Sequence, residues 1–297
     1  MNKIIFEGVC TALITPFTKD GVDYAALKKQ IDFQIKNGVS ALCVLGTTGE
    51  APTVTDAEYE SIAKFAYDQI AGRVKFILGS GSNCTKKAVE KSVLAQKIGA
   101  DGLLCVTPYY NKCTQNGLVA YYNEICDSVD IPVLCYNVPA RTGVNVLPET
   151  AARIAEHKNM GGIKEACGNM EQICETARLI KGKTALYSGD DNLNLAMLAI
   201  GSKGLISVVS NVLPKEISEV NRLFNAGKTA EANALHEKLL PVIDIMFCEV
   251  NPIPVKKAAD LLGLGGGYVR APLTELEPAH TEQMITILKN FGLKLKV

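Results

Sequence analysis

The fold prediction rests first on the segment Met160-Gly161-Gly162-Ile163-Lys164-Glu165-Ala166, past the middle of the chain, in which one lysine interrupts an apolar run. Side chains alternate between the faces of a strand, so Gly162 and Lys164 share one face and Ile163 and Glu165 the other. Burying an ammonium inside a closed sheet is costly, and the cost falls when an amine loses its proton. A neutral amine is a nucleophile, so this pattern predicts a barrel strand with a reactive lysine. The alternative is a surface lysine on an edge strand.

This segment is the sixth of eight apolar runs that alternate with helical patterns. Continuous apolar runs are typical of parallel strands covered on both faces, and eight such strands, each followed by a helix, predict a (β/α)8 TIM barrel. A helix is predicted over about residues 24–36, and Thr55 with Glu58 predicts a capping box at the start of the next. The eight runs are Val9–Phe17, Ala41–Gly46, Lys75–Gly79, Gly102–Thr107, Ile131–Asn137, Met160–Ala166, Thr184–Gly189 and Gly204–Val209.

An open, doubly wound sheet is the alternative fold. That fold carries a Gly-x-Gly-x-x-Gly phosphate loop after its first strand, whereas the first run here ends in Ile14-Thr15-Pro16-Phe17. Beyond about Ala226 the strand-like runs stop and helical patterns continue. We therefore predict a catalytic barrel over residues 1–226 and a C-terminal helical appendix, packed on the barrel, over residues 227–297.

Composition argues against several classes of protein. Lysine plus arginine and aspartate plus glutamate each total 31, so neither nucleic acid nor an anionic membrane is an expected partner. No apolar stretch approaches the roughly 18 residues needed to cross a membrane. The ten cysteines form no Cys-x-x-Cys pair, no signal-peptide core is present, and four thiols stand inside apolar runs as small hydrophobes. A reduced, cytoplasmic protein is expected, and the four cysteines are Cys10, Cys43, Cys105 and Cys135.

The three histidines, His157, His236 and His280, stand in or beside helical patterns, away from the strand ends. A histidine-ligated metal or a serine–histidine relay needs a histidine near the chemistry, so neither is expected. Reactivity must then rest on Lys, Tyr, Thr, Arg, Asp or Glu. No metal and no bound cofactor are predicted.

Polar residues collect where the apolar runs give way to loops, which is where the reactive groups of such barrels lie. One mouth of the predicted barrel would therefore carry a lysine, threonines, tyrosines and an arginine. This combination suits an imine-forming enzyme that acts on a small keto acid. Taken singly, each residue has a simpler explanation: Tyr136 as a core aromatic, Arg141 as part of a surface ion pair, and Thr47-Thr48-Gly49 as a turn. Asp190-Asp191 are expected to cap the following helix. The collected residues are Thr47-Thr48-Gly49-Glu50, Tyr109-Tyr110, Tyr136, Arg141, Lys164, Gly189-Asp190-Asp191 and Ile206–Asn211.

The chemistry expected of such a mouth is condensation through an imine. The Lys164 amine attacks a ketone, water leaves, and the iminium withdraws electrons from the adjacent carbon. Loss of a proton there gives an enamine that attacks an aldehyde, and a tyrosine linked to a threonine can relay the protons. Arg141 can clasp one carboxylate with two parallel hydrogen bonds, and the backbone amides of Thr47 and Thr48 could hold another.

At these positions the sequence resembles the dihydrodipicolinate synthase/N-acetylneuraminate lyase family of lysine-dependent aldolase barrels, over essentially the whole chain. Within that family the lyases usually carry serine at the Thr47 position and lack an arginine at the Arg141 position, so the synthase branch is the nearer match. The matching segments are Gly46–Glu50, Val106–Tyr110, Tyr136–Gly143, Gly162–Lys164, Ser188–Asp191 and Asn251–Lys256.

The resemblance implies a reaction and a proton relay. Lys164 would condense pyruvate with aspartate 4-semialdehyde, and the product would cyclise to 4-hydroxy-tetrahydrodipicolinate, the first committed step of diaminopimelate and lysine biosynthesis. Tyr136, Thr47 and Tyr110 match the relay residues of the family. In the family the tyrosine at the Tyr110 position reaches in from a neighbouring subunit, which implies an obligate dimer and usually a homotetramer, a dimer of dimers.

The resemblance also implies substrate contacts. Thr48 matches the contact to the pyruvate carboxylate and Arg141 the contact to the semialdehyde carboxylate, while Gly189 and Ile206 match pocket positions. One alternative is an aldolase for a sugar-derived keto acid, such as N-acetylneuraminate or 2-keto-3-deoxygluconate, whose polyol chain would make no use of Arg141. Another is a barrel without turnover that only binds a keto acid or a partner, and the complete residue set argues against it.

One region departs from the family pattern. Members inhibited by lysine often bind it at the dimer interface through an acidic residue, histidines, an asparagine and paired tyrosines. Asn83 and Tyr109 match, but Lys87 stands at the acidic position, and Asp56 and Tyr59 stand where histidines are common. A resident ammonium repels an incoming one, so weak or absent inhibition by lysine is expected.

Overall fold

A computed structural model describes residues 4–296 of the chain. Eight parallel strands of this part of the chain form a closed barrel, so the predicted (β/α)8 fold is confirmed and the open sheet is excluded. In chain order the strands are Gly8–Ala12 (β1), Ala41–Val44 (β2), Lys75–Gly79 (β3), Gly102–Val106 (β4), Val133–Asn137 (β5), Met160–Glu165 (β6), Ala185–Ser188 (β7) and Gly204–Ser207 (β8). Around the barrel their order is β1-β8-β7-β6-β5-β4-β3-β2.

Helices follow the strands, and the chain beyond β8 is helical. Helix α1 covers the residues predicted for it, and α2 begins with the predicted capping box between Thr55 and Glu58. The predicted C-terminal appendix is present as α10 to α12, whereas its boundary at residues 226 and 227 stays a prediction. The helices are Tyr24–Lys36 (α1), Asp56–Ile70 (α2), Thr85–Ile98 (α3), Gln115–Asp127 (α4), Pro139–Thr142 (α5), Pro148–Ile154 (α6), Met170–Ile180 (α7), Asn194–Ala199 (α8), Pro214–Asn225 (α9), Thr229–Ile245 (α10), Ile253–Leu261 (α11) and Pro278–Phe291 (α12).

Strand β1 ends five residues before its predicted end. The backbone amide of Leu13 still donates to the carbonyl of Cys43, but the amide of Ile14 donates to the side-chain oxygen of Asn211 at 3.0 Å. The chain therefore leaves the ladder after Ala12, and Phe17–Thr18 pairs instead with Gly21–Val22 in a short antiparallel hairpin.

The cysteines inside the strands behave as predicted. Cys10, Cys43, Cys105 and Cys135 are completely buried. Burial raises the pKa of the Cys105 thiol to about 11, because the thiolate would lose its solvation. These thiols are packing groups of the barrel.

Contacts group the described residues into two compact units. One unit comprises residues 4–8 and 75–206, and the other comprises residues 9–74 and 207–296. The first has a core with the fully buried side chains of Phe76 and Tyr122, and the second a core with those of Leu27 and Ile31. Strands β3 to β7 belong wholly to the first unit, and β2 with helices α9 to α12 to the second.

We expect Gly204→Ala to lower the free energy of unfolding by about 3 kcal/mol. A Cβ at Gly204 would lie 2.0 Å from the carbonyl oxygen of Gly8, and this backbone cannot move aside as a flexible side chain could. The matched control is Gly182→Ala, which meets nothing within 4 Å and carries only the strain of a φ of 79°, about 1 kcal/mol. Urea denaturation measures both, and equal losses would contradict the close approach of the two backbones.

Candidate active site

Strand β6 places Lys164 beside tyrosines of both neighbouring strands. Lys164 is in register with Tyr136 of β5 and with Tyr187 of β7. It is 5% exposed, and its Nζ lies 3.9 Å from the centroid of the Tyr136 ring, within the range of a cation–π contact. Tyr136 is itself only 7% exposed. The structure therefore buries the predicted nucleophile against one predicted relay residue, and its reactivity stays a prediction.

The loop after β7 leaves room for the lysine side chain. A Cβ at Gly189 would lie 2.8 Å from Cε of Lys164 and 2.9 Å from Cβ of Ala166. The amide of Gly189 donates to the carbonyl of Glu165 at 2.8 Å, so the loop cannot easily withdraw. A residue with a side chain here would displace the lysine, which supports the predicted pocket position of Gly189.

The prediction that Asp190-Asp191 cap the following helix is wrong. The N-cap of α8 is Leu193, so neither aspartate occupies the capping position. Asp190 instead accepts a hydrogen bond from the amide of Asn192 at 2.9 Å, which closes a turn before the helix begins. Aspartate competes well for such local bonds, so its presence alone could not distinguish a turn from a cap.

A buried carboxylate supports β5 and β6, and it was not predicted from the sequence. Glu165 is 1% exposed and accepts hydrogen bonds from the side chain of Asn137 at 2.9 Å and the amide of Ala166 at 3.1 Å. Burial raises the pKa of Glu165, and these donors partly offset the effect. Asn137 and Glu165 stand in register on neighbouring strands, next to Tyr136 and Lys164. An acid and an amide inside two adjacent apolar runs are the signal that could have revealed the network.

Two further predicted residues are exposed in the single chain. Tyr110 is 90% exposed, and its φ of 71° lies in the left-handed region that side-chain-bearing residues rarely adopt. Arg141 is exposed on α5, the single turn of helix that directly follows β5. Ile206, by contrast, is completely buried in β8. The structure thus does not bring the Tyr110 side chain into the buried group around Lys164 within one chain.

In the second unit, the loop after β2 presents unused donors. This segment, Gly46–Glu50, is called the GTTGE loop below. The amides of Gly49 and Glu50 donate within the loop, to the carbonyls of Gly46 and Thr47 at 3.1 Å each. Among residues 4–296, no protein acceptor is found for the amides of Thr47 and Thr48. Two free N–H groups in a tight turn are suited to an anion.

An ion pair fixes the end of the GTTGE loop. Nζ of the fully buried Lys256, on α11, lies 2.5 Å from Oε1 of Glu50 and 2.9 Å from the carbonyl oxygen of Thr15. The amide of Arg270 donates to the other Glu50 oxygen at 3.0 Å. Burial lowers the pKa of Lys256, and the Glu50 carboxylate opposes this. This pair also went unpredicted, although a lysine on the apolar side of a helix was a usable signal.

Across residues 4–296, His, Cys, Asp and Glu side chains form no cluster able to hold a metal ion. None of the described helices has the length and hydrophobicity that spanning a membrane requires. A buried lysine on the sixth strand of a (β/α)8 barrel, packed against a buried tyrosine, is the arrangement expected of the imine-forming class of aldolases.

Comparison with known proteins identifies the family. The model of the dihydrodipicolinate synthetase family matches residues 5–291. The 4-hydroxy-tetrahydrodipicolinate synthase of Geotalea uraniireducens (strain Rf4) is 45% identical over 289 residues, covering 97% of this chain and 100% of that protein. The chain belongs to the dihydrodipicolinate synthetase family.

Solved structures agree with this membership. The dihydrodipicolinate synthase (DHDPS) of Thermotoga maritima has a TM-score of 0.96 at 42% identity, over 98% of this chain and 100% of that chain. The DHDPS of Cyanidioschyzon merolae, solved with lysine bound, has a TM-score of 0.95 at 37% identity, again over 98% and 100% of the two chains. The barrel and its appendix are therefore shared along their whole length.

We expect Lys256→Met to lower the free energy of unfolding by about 3–5 kcal/mol, because it leaves Glu50 as an uncompensated buried charge. Adding Glu50→Gln should recover most of that loss, since the charge is then removed as well. Lys257→Met changes the next residue of the same helix, which is only half-buried, and should alter stability by about 0.5 kcal/mol or less. Urea denaturation compares the three proteins, and a double variant as unstable as Lys256→Met would refute the role of the pair.

Proposed function

We propose that this enzyme condenses pyruvate with L-aspartate 4-semialdehyde to give 4-hydroxy-tetrahydrodipicolinate, the first committed step of diaminopimelate and lysine biosynthesis. The observation that carries the proposal is the buried Lys164 amine, 3.9 Å from the Tyr136 ring. It lies in a chain 45% identical to a relative named 4-hydroxy-tetrahydrodipicolinate synthase. The sugar-derived keto acids are the weaker candidates, because the relatives compared above are named as synthases of 4-hydroxy-tetrahydrodipicolinate or dihydrodipicolinate and Arg141 suits a carboxylate better than a polyol.

In the proposed mechanism, the Lys164 amine adds to the ketone carbon of pyruvate, and water leaves to give an iminium. A proton then leaves the methyl carbon, and the resulting enamine forms a carbon–carbon bond with the aldehyde, whose oxygen takes up a proton. The amine of the semialdehyde next attacks the iminium carbon and expels Lys164, which closes the six-membered ring. Lysine itself is the electron sink, so the mechanism requires no cofactor.

Hydroxyl groups serve the proton transfers in this proposal. Tyr136 is the group best supported, because its ring lies against the Lys164 amine. Thr47 links Tyr136 to Tyr110 in a relay, on the family pattern. The 90% exposure of Tyr110 supports its insertion into a neighbouring subunit, and hence a homodimer within a dimer of dimers.

The two carboxylates of the substrates are assigned to different residues. The amides of Thr47 and Thr48 and the Thr48 hydroxyl would hold the pyruvate carboxylate. Arg141 would hold the carboxylate of the semialdehyde through paired hydrogen bonds. Gly189 and Ile206 would bound the pocket. We also propose a cytoplasmic location, which the reduced state of the ten cysteines among residues 4–296 supports.

We expect borohydride reduction in the presence of pyruvate to add a lactyl-sized mass to the peptide that contains Lys164. Reduction traps the imine as a stable secondary amine, which mass spectrometry locates. Lys164→Arg, which keeps the charge but is a far poorer nucleophile, should give no adduct, and Lys183→Arg, an exposed lysine of the same unit, should leave it intact.

A second assay on the same protein identifies the aldehyde that accepts the enamine. Pyruvate is incubated with aspartate 4-semialdehyde, N-acetylmannosamine or glyceraldehyde, and product formation is followed for each. We expect turnover with the semialdehyde only. Absence of a Lys164 adduct in active protein would end the imine mechanism, whereas an adduct with turnover of a sugar aldehyde would favour the alternative substrate.

We expect little inhibition by lysine, with a half-inhibitory concentration above about 1 mM. Lys87 is exposed on α3, so its ammonium is free to repel a cationic effector. Lys87→Glu should lower that concentration several-fold, and Lys86→Glu, the neighbouring exposed lysine, should change it less. Strong inhibition of the parent enzyme by 0.1–1 mM lysine, on the order of ordinary effector affinities, would refute the expectation.

A further inference from the structure

We infer that the segment Asn251–Lys256 sets the hydrogen-bond polarity of Thr48 and the shape of the GTTGE loop, which makes Asn251 and Lys256 positioning residues for the carboxylate of the keto acid. The inference rests on the proposed function, because that function gives the loop a carboxylate to bind. It assigns to the helical appendix a part in substrate selection.

The bond between Asn251 and Thr48 has a defined direction. Nδ2 of Asn251 donates to Oγ1 of Thr48 at 3.0 Å, and both side chains are more than nine-tenths buried. An amide nitrogen can only donate, so the Thr48 oxygen is the acceptor in this bond. The hydroxyl proton of Thr48 therefore remains to be donated elsewhere.

That proton has no protein acceptor among residues 4–296. A buried donor without a partner is costly, so a ligand that accepts a hydrogen bond would relieve the cost. The free amides of Thr47 and Thr48 add two more donors on the same loop. Three donors on one loop favour an anionic acceptor such as a carboxylate.

Lys256 acts on the same loop from the other end. Glu50 adopts a φ of 54°, a left-handed conformation that is uncommon for a residue with a side chain. Lys256 and the amide of Arg270 hold its two carboxylate oxygens, while the Thr15 hydroxyl holds the carbonyl of Gly49 at 2.7 Å. Without Lys256, an uncompensated carboxylate would stand on the loop that must accept an anion, and the two charges would repel each other.

The test compares pyruvate with methyl pyruvate, which keeps the ketone but lacks the carboxylate charge. The quantity measured is the concentration of each compound that gives half-maximal borohydride trapping on Lys164. We expect Asn251→Leu, which removes the donor at similar size, to raise the value for pyruvate about tenfold, the factor one hydrogen bond to a charged group is typically worth. The value for methyl pyruvate should change less than twofold.

Asn251→Asp provides a second variant of nearly identical shape. Its carboxylate accepts the Thr48 proton instead of donating to the oxygen, so the loop loses a donor and gains a charge. We expect the pyruvate concentration for half-maximal trapping to rise more than in Asn251→Leu. The corresponding concentration of methyl pyruvate should again change little. For Lys256→Met combined with Glu50→Gln, the pyruvate concentration that gives half-maximal trapping should lie between the values for the parent and for the Asn251 variants. For Lys257→Met it should equal the value for the parent.

The outcomes separate the inference from the function on which it rests. No adduct with the parent protein would defeat the proposed function. An adduct with the parent, together with unchanged pyruvate values in both folded Asn251 variants, would overturn only the inference. An equal loss for pyruvate and methyl pyruvate would also overturn it, because a purely structural defect affects both ketones alike. Circular dichroism of each variant confirms that it is folded.

Discussion

The structure depends on how the chain keeps two amines out of water. Desolvation of an ion costs several kcal/mol even after relaxation, so each buried lysine needs a specific environment. Lys256 has a carboxylate at 2.5 Å and a backbone carbonyl at 2.9 Å, which hold it as a structural cation. Lys164 makes no ion pair among residues 4–296 and has the face of Tyr136 instead. A cation–π contact contributes only about 0.5–2 kcal/mol, which supports the proposed reaction of the Lys164 amine with a carbonyl.

The residues around Lys164 provide the specific environment that a buried lysine needs. A short parallel strand holds its backbone in register with both neighbours, and Gly189 leaves the volume that the lysine side chain occupies. The polar support lies one residue further along, where Glu165 accepts bonds from Asn137 and from backbone amides. Because successive side chains point to opposite faces, this buried carboxylate supports the strand without becoming a counter-ion for the lysine.

Local features of the fold were predictable from the sequence, and long-range pairs were not. Eight apolar runs predicted the barrel, and the Thr55–Glu58 capping box was found as expected, because each depends on residues within one element. The failed cap at Asp190 reflects a choice between two local bonds of similar strength. The pairing of Glu50 with Lys256 joins residues separated by 206 positions, and no periodicity encodes such a contact.

In the candidate site, too, features within one strand were predictable and features that depend on other parts of the assembly were not. Burial of Lys164 and Tyr136 could be predicted because strand runs and strand ends are visible in the sequence. The family resemblance, rather than any pattern, gave Tyr110 its role, whereas the carboxylate contact predicted for Arg141 came first from its guanidinium chemistry. Both residues are exposed in the single chain. The exposure of Tyr110 in a left-handed conformation supports the proposal that a neighbouring subunit receives its side chain.

The helical appendix is therefore more than a cover for the barrel. Its segment around α11 supplies the cation that neutralises Glu50 and the amide that orients Thr48. A loop of five residues with an acidic end would otherwise be a poor place to receive a carboxylate, because its own charge would oppose the ligand. Cancelling that charge internally removes this repulsion and leaves the amides of Thr47 and Thr48 as donors. In the proposed function, the carboxylate of the keto acid then binds this loop through hydrogen bonds.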